Sequence, residues 1–348
     1  MLHDYRTNGV VAADYVEHIL GEGTENSLTL QFVGDTMLGD GAQPLLDKEG
    51  YDLPFEAVLP LLDGDFIVAN AEGPISTQTQ PANPGKTYSY NSDPQAAGAI
   101  KRAGIDALGL GNNHSTDMGF EGLQETKKIT ADSGMLTFGA GANLAEAERP
   151  LVVRSRLGNV GIVSLGEHFG KSTKATADQP GTVVLSPATI QRGYDLARAA
   201  GADWVVAYVH WGDNYENTND RQRYWAHLLV DAGYDLVVGT GPHIAAPIEF
   251  IGAVPVAYSI GNFVFGTPGR FKSFGQEGIG LLLSVELNRN AAATLAVKCI
   301  ETDNLATGFL ARPCSDAQTS TVIPGINPNL VLQGSVARMP CGCFGDKP

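Results

Sequence analysis

Short runs of apolar, often β-branched residues recur along the chain, and each stops at glycine, proline or small polar residues. Runs of this length predict strands. They are Leu28–Val33, Phe66–Ala69, Ala107–Leu110, Val160–Leu165, Trp204–Val209, Leu236–Val238 and Val256–Ser259. Two longer runs, Ile279–Leu287 and Ala293–Ile300, have no helical stretch between them and predict an antiparallel finish. Between the earlier strands the apolar period lengthens to that of helices. Pro54–Leu62 and Pro94–Ala103 open on proline, which suits a first helical turn. Phe120–Ser133, Pro187–Ala200 and Asp220–Ala232 stop at Gly134, Gly201 and Gly233, as helices commonly do.

Strands alternating with helices predict a layered α/β domain, here expected over residues 28–305. Residues 1–27 read as an extension with a helix at Val10–Leu20, and residues 306–348 as an irregular tail carrying cysteines. Ser76–Pro94, rich in Pro, Asn, Thr and Ser, reads as a long functional loop.

Composition narrows the function classes. The 348 residues are 43% hydrophobic, enough for a full core. No run approaches the roughly 18 apolar residues of a membrane span. Met1–Ser27 shows no basic segment leading into an apolar one, so no signal peptide is expected within it. A formal charge of −15 argues against nucleic acid and anionic membrane as partners, since both demand a basic footprint. It permits an anionic substrate, because a metal and a few cations reverse the potential inside a cleft. Cys299, Cys314, Cys341 and Cys343 all fall late, which predicts one or two disulfides stapling the tail in an oxidising compartment. Zinc is disfavoured there, because Cys341-Gly-Cys343 has no second ligand pair at a usual spacing.

Candidate chemistry lies at the strand ends. Five strands break into glycine and a polar residue: Phe32-Val-Gly-Asp35, Ala69-Asn-Ala-Glu72, Gly109-Leu-Gly-Asn-Asn113-His114, Tyr208-Val-His210 and Gly239-Thr-Gly-Pro-His243. Sites in open α/β sheets form beyond the carboxyl ends of strands, where such loops converge. Carboxylate and amide oxygens with imidazole nitrogens suit Mn, Fe, Zn or Mg. In Asn112-Asn113-His114, one Asn oxygen can ligate a metal while His114 supplies a proton and Asp117 orients its ring. Taken alone this segment also reads as a turn, since Asn tolerates positive φ. Five such segments in series favour a site.

Gly-Asp, Ala-Asn-x-Glu, Asn-Asn-His-x-x-Asp-x-Gly, His-Trp-Gly, Pro-His and Tyr258-Ser-Ile-Gly-Asn262-Phe-Val-Phe265 follow one another from Leu28 to Leu287. In this order they resemble the motifs of CapA-like poly-γ-glutamate capsule biosynthesis proteins, a branch of the metallophosphatase-fold superfamily. The resemblance implies a sandwich of two mixed β-sheets flanked by helices, with the site at one edge. It implies Asp35, Glu72, Asn113, His210 and His243 as ligands of one or two divalent ions (Mn, Fe, Zn or Mg), Glu72 or Asn70 as a bridge, and His114 as general acid. Two departures stand out: Met37 replaces the histidine of Asp-x-His, and Gly241 replaces the first histidine of His-Pro-His. Asn214 also stands where relatives tend to carry Glu.

The implied activity is metal-assisted hydrolysis or transfer at an amide or ester of an anionic polymer such as poly-γ-glutamate. The competing readings are a phosphoesterase, a non-catalytic polymer-binding or export component, and a metal-free acid/base catalyst using Asp35 and His243. Kinship implies an extracytoplasmic, cell-surface or periplasmic setting and recruitment to a membrane synthase complex. Asn70, Lys86, Trp211, Asn262 and Arg270 are expected to contact substrate, with Lys86 and Arg270 as the cations near its charge. His168 follows a strand as the site residues do, whereas His227 reads as a packed helix residue and His3 and His18 as solvated.

Overall fold

The computed structural model describes residues 15–20, 26–167 and 174–344. Two large mixed sheets face each other, with helices on the outer sides. The longer sheet runs, by residue, 331–333, 336–340, 291–301, 279–288, 27–37, 66–71, 107–109 and 136–138, with 262–265 added beside 27–37. The seven-stranded sheet runs 16–19, 151–154, 159–166, 204–210, 236–240, 254–257 and 248–251. Phe32, Phe66 and Val68 from one sheet and Val206, Tyr208 and Val238 from the other share one buried cluster. Strands 27–37, 66–71, 107–109 and 136–138 of the longer sheet and 159–166, 204–210 and 236–240 of the other are parallel, and they read as near-continuous apolar runs because both faces are covered.

The helices cover the outer faces. Pro187–Ala199 starts on a capping box of Ser186 and Thr189, and Asp220–Asp231 on one of Asn219 and Gln222. Their apolar positions Ile190, Ala197, Ala226 and Leu229 pack on Val163, Val205 and Val237 of the seven-stranded sheet. Gln95–Arg102 and Gly119–Asp132 do the same for the longer sheet through Ala96, Ile100 and Leu123. Each expected strand is present within a few residues of its expected ends.

Four expectations are corrected. Within the helix expected at Val10–Leu20, residues 15–20 are described, and Val16–Ile19 is a strand paired in parallel with Leu151–Arg154. Its exposure alternates with a period of two, so the sheet edge decides its form. His18, expected to be solvated, lies with its ring 4.8 Å from that of Phe66. Pro54–Leu62 forms two 3-10 turns, Leu53–Phe55 and Leu59–Leu61, because Pro60 removes an amide donor where a continuous helix needs one. The tail is not irregular: Asp316–Ile326 is a helix capped by Ser315, and Val336–Pro340 extends the longer sheet against Ala291–Glu301. Of the one or two disulfides expected, two form, pairing Cys299 with Cys314 and Cys341 with Cys343.

One close approach sets the position of the site. The amide of Asp35 donates to the Gly261 carbonyl at 3.0 Å, so the backbone before Asn262–Phe265 lies directly on Gly34. A Cβ at Gly34 would stand 1.8 Å from that carbonyl oxygen. Gly34→Ala is therefore expected to destabilise the fold by ~3 kcal/mol or more, as overpacking against backbone has no side chain to yield. Gly325→Ala, which meets nothing within 4 Å, should change stability by no more than ~1 kcal/mol. Thermal and urea melts of the two variants check this, and equal melts would refute it.

Candidate metal centre

Asp35 sits inside the strand Ser27–Met37, at a register shift opposite Asn70, and is fully buried. Its Oδ1 accepts from Asn70 Nδ2 at 2.8 Å. Its Oδ2 accepts from the Gly241 amide at 3.2 Å and lies 3.2 Å from His243 Nδ1. Glu72 follows the neighbouring strand, its amide bonded to the Thr36 carbonyl at 3.0 Å. Glu72 Oε1 is 3.7 Å from His243 Nε2 and 3.8 Å from His114 Nε2. Asp35, Glu72 and His243 each offer a ligand atom within 4.8 Å of the others. His243 holds φ at 64°, a costly left-handed turn for a histidine. Its Nδ1 is 2.9 Å from Asn262 Oδ1, which helps fix the ring.

Charge at this group is lopsided. Burial pushes the Glu72 carboxyl well above its usual range. Burial would raise Asp35 too, but the hydrogen bond and charge of His243, with help from His210 and Asn70, leave it lowered. Burial depresses His243, yet Glu72 and Asp35 outweigh it and raise the imidazole to about 9. Without another cation, a proton on His243 is what offsets the Asp35 carboxylate. Two oxygens remain unsatisfied: Glu72 Oε2 and Asn113 Oδ1 are buried without a hydrogen-bond partner. Buried acceptors left without donors are costly, and a divalent cation satisfies them with the hard donor set present.

The expected residues divide into three groups. Asp35, Glu72 and His243 come together; Asn113 supplies an orphaned oxygen on the adjoining turn. His210 lies beside them, its Nδ1 3.4 Å from Asn70 Nδ2 and 3.2 Å from Thr240 Oγ1. His114 Nδ1 is 2.7 Å from Asp117 Oδ2, which leaves Nε2 facing Glu72. Burial lowers the pKa of His114 despite Asp117, and the Lys86 and His243 charges add to this.

Of the expected substrate contacts, Asn70 is committed to Asp35 and to Asn112, whose Nδ2 donates to its Oδ1 at 3.1 Å. Lys86 Nζ is held by Asp117 at 2.5 Å and by the Asn113 carbonyl at 2.8 Å. Trp211 is buried in the core under the seven-stranded sheet, donating to the Tyr258 carbonyl at 2.8 Å. Asn262 touches His243, and Arg270 is exposed. His168 lies outside the described residues.

Sequence reading missed Asn112 and Tyr215. Asn112 accepts from the His114 amide at 3.0 Å and donates to the Ala71 carbonyl at 2.7 Å, so it welds two motifs together. Its neighbour Asn113 concealed it, since either could have been the working amide. Tyr215, at φ 61°, packs its ring 5.5 Å from that of His243. No local motif marks it.

The two departures from the motif pattern have structural counterparts. Met37 lies in a small apolar cluster with Tyr90 and Phe265. Gly241 has φ of 108°, and a Cβ there would stand 2.7 Å from the Trp211 carbonyl oxygen and 3.2 Å from His210 Nε2. No side chain fits that backbone.

A two-sheet α/β sandwich with buried carboxylates and imidazoles at its strand ends defines the class of protein. Residues 29–267 match the family described as bacterial capsule synthesis protein PGA_cap, and the chain belongs to that family. It is 31% identical over 246 residues to the PGA biosynthesis protein CapA of Bacillus subtilis (strain 168), covering 70% of this chain and 64% of that one. It is 31% identical over 247 residues to the capsule biosynthesis protein CapA of Bacillus anthracis, covering 68% and 60%. A probable polyglutamine synthesis accessory protein of Mycobacterium tuberculosis is 29% identical over 312 residues, with 76% and 81% covered. The chain thus spans less than two thirds of the length of the two Bacillus relatives. Among solved structures, a putative 5'-nucleotidase from Staphylococcus aureus aligns with a TM-score of 0.47 and 14% identity, over 87% of this chain and 59% of that one.

Two measurements test the centre. Equilibrium dialysis against Mn or Zn should give binding that Asp35→Asn weakens at least about tenfold, and equal uptake would remove Asp35 from the ligands. Gly241→His, which restores the missing imidazole on paper, should yield less folded protein and no tighter binding, because its backbone has no room for a side chain. Tighter metal binding by a well-folded Gly241→His would overturn that.

Proposed function

We propose that this chain acts in the synthesis of an anionic capsule polymer of the poly-γ-glutamate type, by metal-assisted hydrolysis or transfer at an amide or ester. The observation that carries the reading is the buried Asp35–Glu72–His243 group beside a His114–Asp117 pair, with two orphaned oxygens at hand. The names of the Bacillus relatives, a PGA biosynthesis protein and a capsule biosynthesis protein, support the polymer class.

Asp35, Glu72, His243 and Asn113 would hold one divalent ion, with His210 alongside. Met37 and Gly241 leave no imidazoles for a second. When bound, such an ion supplies Lewis-acid polarisation of a carbonyl and a more acidic water. The chain's own residues handle the proton. Asp117 accepts the Nδ1 proton of His114, so the resting, neutral imidazole presents a lone pair at Nε2. That atom takes a proton from the attacking group and returns it to the leaving amine or alkoxide, which makes His114 the general acid of the second half-reaction. Lys86 holds Asp117 in place.

The disulfides support an oxidising, extracytoplasmic setting. Among the described residues no helix is long and apolar enough to cross a membrane. Association with a surface synthase complex belongs to this proposal.

The test is polymer turnover by His114→Ala. A loss of about 10²- to 10⁴-fold in kcat with metal content unchanged is expected. Wild-type turnover in the variant would sink the role of His114. Cleavage of aryl phosphate esters with none of poly-γ-glutamate would replace the reading with a phosphoesterase.

A further inference from the structure

A closed ring of contacts encircles the centre. From His243 it passes to the Tyr215 ring at 5.5 Å, and from there to the Arg270 guanidinium, 5.2 Å above Tyr215. Arg270 also lies 5.5 Å over Tyr88, which neighbours Tyr90 at 6.5 Å. Tyr90 packs 4.2 Å from His114, and both histidines return to Glu72 Oε1. Tyr215 and Tyr90 are buried, whereas Tyr88 and Arg270 are exposed. The ring therefore climbs from the two imidazoles to solvent, and Arg270 is its outermost member.

Arg270 differs from those arginines that carboxylates engage. Arg102, Arg192, Arg223, Arg312 and Arg338 each pair with a carboxylate. Among the described residues Arg270 pairs with none, although the chain carries a formal charge of −15. Its guanidinium lies over the rings of Tyr88, Tyr215 and Phe274, 5.2 to 5.5 Å from their centroids. One hydrogen bond goes to the Tyr215 side chain, and the remaining N–H groups of the guanidinium fork can meet an oxyanion, an arrangement lysine does not reproduce. Lys86, the other cation expected near substrate, is already engaged by Asp117.

The supporting loop is fixed in advance. Asn304 accepts from the Gly269 amide at 2.8 Å and donates to the Phe265 carbonyl at 2.8 Å. Phe271 is buried with its ring edge-on to Tyr215 at 5.1 Å. A guanidinium held this way loses little freedom on binding, which favours a selective contact.

We propose that Arg270, flanked by Tyr88 and Tyr215, is the specificity-determining residue of this site and binds a carboxylate of the anionic polymer beside the bond being processed. This rests on the function proposed above. The fork discriminates in favour of chains with a free carboxylate on each residue and against neutral glycans.

The experiment measures binding of poly-γ-glutamate, with dextran as neutral control, to the wild type, Arg270→Ala, Arg270→Lys and Arg312→Ala. Arg270→Ala should bind about tenfold more weakly and lose part of the salt dependence. Arg270→Lys should recover only part of the loss. Arg312→Ala, which removes the same charge elsewhere, should stay within about twofold of wild type, and melting temperatures should match across the set. Wild-type binding with undiminished binding by Arg270→Ala overturns this inference alone. Failure of the wild type to prefer poly-γ-glutamate over dextran overturns the proposed function, and this inference with it.

Discussion

The buried carboxylate of Asp35 is the constraint on which the rest of the centre depends. It has no solvent, so each of its oxygens must be answered from within the protein. The answers come from Asn70 on the neighbouring strand, from the Gly241 amide beyond the facing sheet, and from His243. One ion thereby joins three separate stretches of chain. Removing it would leave His243 facing Glu72 alone, with Asn70 and Gly241 deprived of their acceptor. That interdependence explains why the strand ends converge here and why Gly34 must be small enough for Gly261 to lie across it.

A second layer of polar contacts keeps the proton-handling side in register with the carboxylate side. Asn112 reaches Asn70 and Ala71 while holding the His114 amide. The loop Ser76–Pro94 contributes Lys86 to Asp117, and Asp117 Oδ2 also accepts from the Tyr90 amide at 2.8 Å. The long loop is thus tied to the same carboxylate that orients His114. Departures from the motif pattern are absorbed by packing: Met37 joins two aromatic rings, and Gly241 permits a turn that no other residue would make.

Much of this was legible in sequence. The apolar runs marked the strands because buried parallel strands carry little else, and glycine followed by a polar residue marked where each one ended. Asp35, Glu72 and His243 could be picked out for that reason. Where two forces competed, the reading faltered. Val16–Ile19 has too few residues for its period to be distinctive, and an unpaired sheet edge settled it. Pro60 was invisible to a rule that welcomes proline only at a helix start. Trp211 follows His210 directly, yet strand alternation turns it away from the site and into the core. Asn112 and Tyr215 owe their importance to contacts far away in sequence, which no local pattern encodes.

The placement of the strand Ser27–Met37 has a consequence for the order of events during synthesis. It is flanked by Phe66–Ala71, yet its other partners, Asn262–Phe265 and Ile279–Asn288, are more than two hundred residues downstream. A chain leaving the ribosome carries Asp35 on an unfinished edge until Gly261 and Asn262 have emerged. Until then the carboxylate stays hydrated and ionised, with neither Gly241 nor His243 to receive it. Closure of such distant pairings is slow, because the entropy of a very long loop is lost before any contact repays it. The centre therefore cannot assemble before about three quarters of the chain has been made.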